Sequence, residues 1–269
     1  SRPTLRRLRR SIGQESPRRR RVRKHRIRRE RFCQEGMLLQ IDGSPHDWLE
    51  GRGAHLTLLV AIDDATSNIP YAVFREKEDD AGYFELLWEI SCSQGLPLAV
   101  YSDKHTIFRS PKQATLEQEL SGEPPRSQFQ RAMDELGVEV LHACSPQAKG
   151  RVERLFGTLQ DRLVKELREA NATTREEANQ VLQRYLPLHN ARFAEPAAIP
   201  GSAYHPWPDG LRREIVFSLQ HQRQVRNDNT ISFSGHLLQI PPGPDQLSYA
   251  GVTVDVQQRL DGSLAICKH

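Results

Sequence analysis

Cysteine is scarce in this chain. Its 269 residues hold four, Cys33, Cys92, Cys144 and Cys267, widely scattered. None belongs to a Cys-x-x-Cys and no His pair completes a zinc pattern. A disulfide-stapled scaffold and a structural zinc site are therefore not expected, and reduced thiols in a cytoplasmic protein are the simple reading. No apolar run approaches the ~18 residues that a membrane span requires. The first residues are too rich in arginine and too poor in apolar side chains for a secretory signal. There is no internal repeat.

What is abundant is arginine, and it is unevenly placed. Residues 1–31 carry fifteen Lys and Arg against two acids, Glu15 and Glu30. The remainder holds 23 basic and 32 acidic residues, so a basic arm is joined to a mildly acidic body. An arm of this kind suits phosphates, since each arginine that neutralises one releases a counterion. The run Arg18 to Arg21 is its densest stretch.

Beyond the arm, the pattern predicts four segments: an arm over 1–34, an α/β core over 35–195, a Pro-rich linker over 196–211 and an all-β module over 212–269. In the core, Met37–Asp42 reads as a strand that ends on a carboxylate, with Gly43-Ser44-Pro45 as a turn. His55–Ile62 and Ile69–Phe74 follow as strands joined by a short turn, an antiparallel hairpin. Asp80–Ser91 has Tyr83, Phe84, Leu87, Trp88 and Ile90 at helical spacing, so its aromatics belong to the core. Leu98–Asp103 is a strand, again ending on Asp. A polar stretch over 109–127 reads as a surface insertion. Phe129–Leu136 is a helix stopped by Gly137, and Val138–Leu141 a strand. Ser145 and Pro146 then open a helix whose Val152, Phe156, Leu159 and Leu163 make one buried stripe. Thr174 starts another helix, which reaches about Asn190. After Arg212 short strands take over: Ile215–Leu219, Arg223–Val225, Thr230–Phe233, His236–Ile240, Gly251–Val256 and Leu264–Ile266.

Three acids occupy informative points in this order. Asp42 ends the first strand, Asp103 the fourth, and Glu153 sits in the first turns of a helix among Lys149, Arg151 and Arg154. A mixed sheet with three antiparallel strands followed by parallel ones sets the ends of the first and fourth strands side by side. A following helix can bring a third carboxylate to that edge. An oxygen-only set of this kind suits Mg²⁺ or Mn²⁺. Two such ions can activate a water or a 3′-hydroxyl and stabilise the leaving oxygen of a phosphodiester, with no covalent protein nucleophile. Glycoside hydrolysis fits less well, since it needs two carboxyls facing each other across a sugar.

Four blocks carry a resemblance: Gln40-Ile41-Asp42-Gly43-Ser44, Ala61-Ile62-Asp63-Asp64-Ala65-Thr66-Ser67, Tyr101-Ser102-Asp103-Lys104-His105, and Ser145-Pro146-Gln147-Ala148-Lys149-Gly150-Arg151-Val152-Glu153-Arg154. In this order they resemble the core of insertion-sequence transposases of the retroviral-integrase superfamily, most nearly the ISNCY type. The resemblance covers roughly residues 35–195, and more weakly the rest. It implies an RNase H-like fold, a small C-terminal barrel that contacts DNA, and a DDE triad at Asp42, Asp103 and Glu153, with two Mg²⁺ or Mn²⁺ ions. It further implies DNA strand cleavage at transposon ends and strand transfer into target DNA. A homo-oligomer on DNA and a bacterial, cytoplasmic, nucleoid-associated protein with no membrane partner follow from the same likeness. The chain departs from the family by placing 49 residues, 104–152, between the second Asp and the Glu, more than usual. It also lacks the helix-turn-helix unit that usually precedes such a core, which keeps a non-catalytic DNA-binding relative as the alternative.

Lys104, His105, Lys149, Arg151 and Arg154, with Arg18, Arg19, Arg20 and Arg21 of the arm, are the expected DNA contacts. His46 could also reach a scissile phosphate. Asp63 and Asp64 read as structural turn acids. Trp207, set between two prolines, reads as an anchor of the linker on the core.

Overall fold

The computed structural model describes residues 7, 11, 30–102, 126–142, 150–242 and 248–268. The chain divides into two compact units, Ser1–Glu30 and Arg31–His269, and the second carries all the architecture below. Arg18 to Arg21, Asp103, Lys104, His105, Lys149 and the insertion from 109 to 125 lie outside the described residues.

Five strands form a mixed sheet: β1 (Leu38–His46), β2 (Leu56–Asp63), β3 (Tyr71–Arg75), β4 (Ala99–Ser102) and β5 (Glu139–His142). Their spatial order is β3-β2-β1-β4-β5. β1, β2 and β3 are antiparallel, whereas β4 runs parallel to β1 and β5 parallel to β4. This is the RNase H-like arrangement implied by the resemblance. β2 is buried along its whole length because helices cover both sheet faces. That explains why it reads as an unbroken apolar run rather than an alternating one.

Helices α1 (Asp80–Ser93) and α2 (Gln128–Leu136) cover one face, packing Tyr83, Phe84 and Phe129 on Leu39, Ile41 and Leu59. Helices α3 (Gly150–Glu169) and α4 (Arg175–Phe193) cover the other, packing Val152, Leu159, Leu163 and Leu182 on Leu58, Val60 and Ile62. Two predicted helix termini, Thr174 and Gly137, are observed, and the Ser145–Pro146 start lies outside the described residues. Thr174 and Glu177 form a reciprocal capping box at the start of α4. Gly137 ends α2 at φ 69°, a left-handed turn that glycine adopts without a Cβ penalty. The edge strand β3 is covered through its backbone, since Asn179 of α4 accepts from the Phe74 N–H at 2.8 Å and donates to the Phe74 carbonyl at 3.2 Å.

Two expectations are corrected. Gly43-Ser44-Pro45 is not a turn: β1 continues to His46, in register with β2 as far as His46 opposite Leu56. Beyond Gln40 opposite Tyr101, β1 is paired on the β2 side only among the described residues, and such an edge accommodates the missing N–H of Pro45. Asp42 is therefore inside a strand and not at its tip. The second correction is Ile215–Leu219. Arg213–Val216 is a helical turn, α5, and the apolar Val216 and Phe217 are buried in the core beneath α1 and α2.

The stretch over 196–211 is bonded into the core. The Ile199 N–H donates to the Cys33 carbonyl at 2.8 Å, and Leu96 and His205 exchange backbone bonds at 2.8 and 3.0 Å. Trp207 packs on the same cluster, 5.6 Å from the Phe217 ring, with the Arg213 guanidinium over its face. The C-terminal strands are β6 (Leu219–Gln224), β7 (Thr230–Phe233), β8 (His236–Gln239), β9 (Thr253–Gln258) and β10 (Leu264–Lys268). Among the described residues they form two sheets, β10-β9-β6 and the hairpin β7-β8, rather than one closed barrel. Val225, Ile231, Phe233, Val254 and Val256 fill the space between them.

Candidate functional site

Alternation along β1 decides where Asp42 points. Leu39 and Ile41 face α1 and α2. Gln40, Asp42 and Ser44 therefore share the opposite face, the one α3 lies against. Gln40 and Ser44 are buried and Asp42 is half-buried.

Glu153 is exposed in the first turn of α3. An anion there is favoured by the partial positive charge of the helix start. Two contacts fix α3 relative to Asp42. Gln160 Nε2 donates to Ser44 Oγ at 3.3 Å, two residues beyond Asp42. At the other end, Arg151 Nη1 and Gln40 Nε2 both donate to Asp64 Oδ1, at 2.5 and 2.6 Å, and Gln40 lies two residues before Asp42. From Arg151 to Gln160 the helix rises about 13.5 Å, and from Gln40 to Ser44 the strand advances about 13 Å. The helix thus runs alongside the strand, with matching lengths between matching anchors. Seven residues of helix separate Glu153 from Gln160, which puts them about 20° apart on one flank. The flank that touches Ser44 is therefore the flank that carries Glu153, and Asp42 and Glu153 lie within about 4 Å of the same level along the two elements.

Asp103 follows Ser102, the last described residue of β4, which is parallel to β1. Among the described residues no group of three or more His, Cys, Asp or Glu is placed to hold a metal ion. The described donors, Asp42 and Glu153, offer carboxylate oxygens only, which is the ligand chemistry of a hard divalent cation.

The basic residues separate sharply. Arg154 is exposed, with its Nε on the Gly150 carbonyl at 2.8 Å. Arg151, expected at the DNA surface, is instead buried: its side chain is 8% exposed and is paired with the fully buried Asp64. The reason is helical phase, since Arg151 lies about 100° to one side of the buried Val152 and Glu153 about 100° to the other. His46 is exposed at the end of β1 with its ring edge-on to Trp48 at 5.3 Å.

Asp63 and Asp64 are the structural acids the sequence suggests. Asp63 accepts from the Gly36 N–H and from the Thr66 N–H and hydroxyl, each at 2.8 Å. Asp64 also accepts from the Phe32 N–H at 2.9 Å. Burial and the neighbouring Asp63 push the Glu35 carboxyl above its usual range. Gln160 and Gln40 escape sequence reading as parts of the site. The only signal for Gln160 is its seven-residue spacing from Glu153.

No family model matches the chain. It is 38% identical over 244 residues to the protein named "Putative transposase y4bF" of Sinorhizobium fredii, a match over 90% of this chain and 51% of that protein. It is 35% identical over 205 residues to the transposase for insertion sequence IS1202 of Streptococcus pneumoniae, covering 76% of this chain and 42% of the relative. The chain thus spans about half the length of the curated relatives it matches. Among solved structures, it aligns with the simian T-cell lymphotropic virus intasome bound to PP2A regulatory subunit B56 gamma, with a TM-score of 0.47 and 15% identity over 94% of this chain and 82% of that one. It aligns with the HTLV-2 integrase catalytic core in complex with magnesium at a TM-score of 0.40 and 17% identity, over 55% of this chain and 82% of that one.

Proposed function

We propose that this chain, similar over most of its length to bacterial transposases, is the catalytic part of a transposase that cleaves DNA at element ends and joins the freed 3′-hydroxyl to target DNA. The observation that carries the reading is the double anchoring of α3 along β1, which sets Glu153 and Asp42 on adjoining flanks. Asp42, Asp103 and Glu153 are the residues that would hold Mg²⁺ or Mn²⁺, as two ions. When bound, such ions supply the positive charge that activates a water or 3′-hydroxyl and stabilises the leaving oxygen. The chain's part is to orient. β1 holds Asp42 half-buried, and α3 presents Glu153 from a helix start.

DNA is the proposed substrate and partner, gripped through its phosphates. Arg154 at the surface of α3, with Lys104, His105, Lys149 and the Arg18 to Arg21 run of the arm, provides the cations. Arg151 is withdrawn from this set because its charge is spent on Asp64. Two DNA ends joined in one event call for a homo-oligomer on DNA. No helix among the described residues is long and apolar enough to cross a membrane.

The test is nicking of labelled element-end DNA with Mn²⁺ or Mg²⁺. Asp42→Asn and Glu153→Gln should each abolish cutting while leaving DNA binding in place. Cutting that survives Glu153→Gln unchanged would refute the assignment. DNA binding without any metal-dependent cutting by the unaltered chain would favour the non-catalytic alternative.

A further inference from the structure

The buried pair Arg151–Asp64 lies two residues from Glu153 and, through Gln40, two residues from Asp42. Nothing in the proposed chemistry uses it. Asp64 is held by Arg151 at 2.5 Å, by Gln40 at 2.6 Å, by the Phe32 N–H at 2.9 Å, and through its own N–H on the Leu38 carbonyl at 3.0 Å. The last contact belongs to β1, four residues before Asp42. Burying two charges is costly, and an apolar pair of the same volume commonly stabilises a fold as well or better. Stability alone is thus a weak reason for an arginine and an aspartate here.

What an ion pair provides and an apolar contact does not is direction. The stripe Val152, Leu155, Phe156 and Leu159 is apolar, and the hydrophobic attraction that buries it is non-directional. A shift of one residue turns the helix by about 100°. That would take Arg151 off Asp64 and move Glu153 off the flank that faces β1. We infer that Arg151 is a positioning residue: through Asp64 and Gln40 it sets the phase of α3 so that Glu153 meets Asp42 at a shared divalent cation. This inference rests on the proposed metal-dependent function, and it adds a second layer of residues behind the carboxylates, a layer whose loss typically lowers metal affinity tenfold or more.

The experiment uses the full chain and three readouts: the Mn²⁺ concentration giving half-maximal nicking, Mn²⁺ binding without DNA by electron paramagnetic resonance of the free ion, and thermal melting by circular dichroism. Arg151→Ala and Asp64→Asn should each raise the half-saturating Mn²⁺ by about tenfold in both metal readouts. The rate at saturating Mn²⁺ should stay within about threefold. Arg151→Lys, which keeps the charge, should fall between these and the unaltered chain. Lys165→Ala, which removes an exposed pair with Asp161 on the same helix, should change nothing. A cooperatively melting Arg151→Ala with unaltered half-saturation in both readouts overturns the inference. So does failure of Arg151→Ala, Arg151→Lys and Asp64→Asn all to fold, since the pair would then be a folding element. If the unaltered chain binds Mn²⁺ but does not nick, the functional reading fails and the resonance arm still decides the role of Arg151. If it neither binds nor nicks, both fall.

Discussion

Gln160 of α3 bonds Ser44 of β1 across 116 residues of chain, at 3.3 Å. The contact is a cross-brace on the flank that carries Glu153. Gln160→Ala removes one hydrogen bond, worth about 0.5–1.5 kcal/mol. Spent on orientation, the same amount corresponds to roughly a two- to thirteenfold loss of nicking rate at limiting Mn²⁺. Steady-state nicking across a metal series, set beside a melting curve shifted by only a few degrees, checks this.

Arg154 and Arg151 are three residues apart and should behave differently on DNA. Arg154→Ala is expected to weaken binding of all sequences alike and to lower the slope of log affinity against log salt by about one. Arg151→Ala should leave that slope unchanged, because its charge already faces Asp64. Fluorescence anisotropy over a salt series measures both.

Asp80 opens α1 with its Oδ1 buried and without a hydrogen-bond partner among the described residues. Burial, with Asp79 adding repulsion and Arg131 partly offsetting it, pushes its carboxyl up to about 6. The folded chain therefore holds this proton more tightly than the unfolded chain does. Stability falls as pH rises from about 4 to about 6 and stays at the lower level above. Asp80→Asn should be more stable than the unaltered chain by about 1–2 kcal/mol at pH 8, after allowance for solvent screening, and equal to it at pH 4. Urea unfolding at the two pH values reads the difference.

His189 gives the opposite slope. Burial, with Arg162 nearby, lowers its imidazole to about 4. Its Nδ1 lies 3.3 Å from the Tyr185 hydroxyl, and its ring packs on Phe193. The unfolded chain takes up the proton near 6.5, so the stability this site contributes is complete above that pH and is lost as pH falls through 6.5 toward 4. His189→Phe should remove about 1–2 kcal/mol of that acid sensitivity. The melting temperature of His189→Phe minus that of the unaltered chain should become more positive as pH falls from about 7 to about 4.

Gly43, next to Asp42, has space for no side chain as the site stands. A Cβ there would meet Glu78 Oε2 at 2.7 Å and Leu59 Cδ2 at 3.1 Å. Glu78 is held by the Tyr83 hydroxyl at 2.6 Å and does not swing freely. Gly43→Ala should lower nicking several-fold, and Glu78→Ala in the same chain should restore most of it. A double-mutant cycle on rate and melting temperature gives the coupling.

Much of this fold is legible in the order of residues. The helix start at Thr174 and the stop at Gly137 are written in local chemistry and are found as predicted, and the N-caps Asp79 and Ser127, not singled out in the sequence, use the same side-chain chemistry. The stripe on α3 follows from period alone. What failed did so for non-local reasons. Gly43-Ser44-Pro45 has the composition of a turn, and only pairing with β2 keeps it extended. Arg151 sits in a run that reads as a basic surface, and its partner Asp64 is 87 residues upstream. Val216 and Phe217 resemble strand residues because burial selects the same apolar types in either setting. For the site, Asp42 and Glu153 stand out by residue type and position, whereas Gln40, Gln160 and Arg151 emerge only once α3 lies against β1.

Phe217 is fully buried among Phe84, Trp88 and Trp207. A shortened chain cut at residue 211, where composition suggests a boundary, would lose this plug and open a hole in the floor of the core. A cut after Ser218 keeps it. Where the polypeptide changes character and where it can safely be divided are therefore different places, and the aromatic plug marks the second.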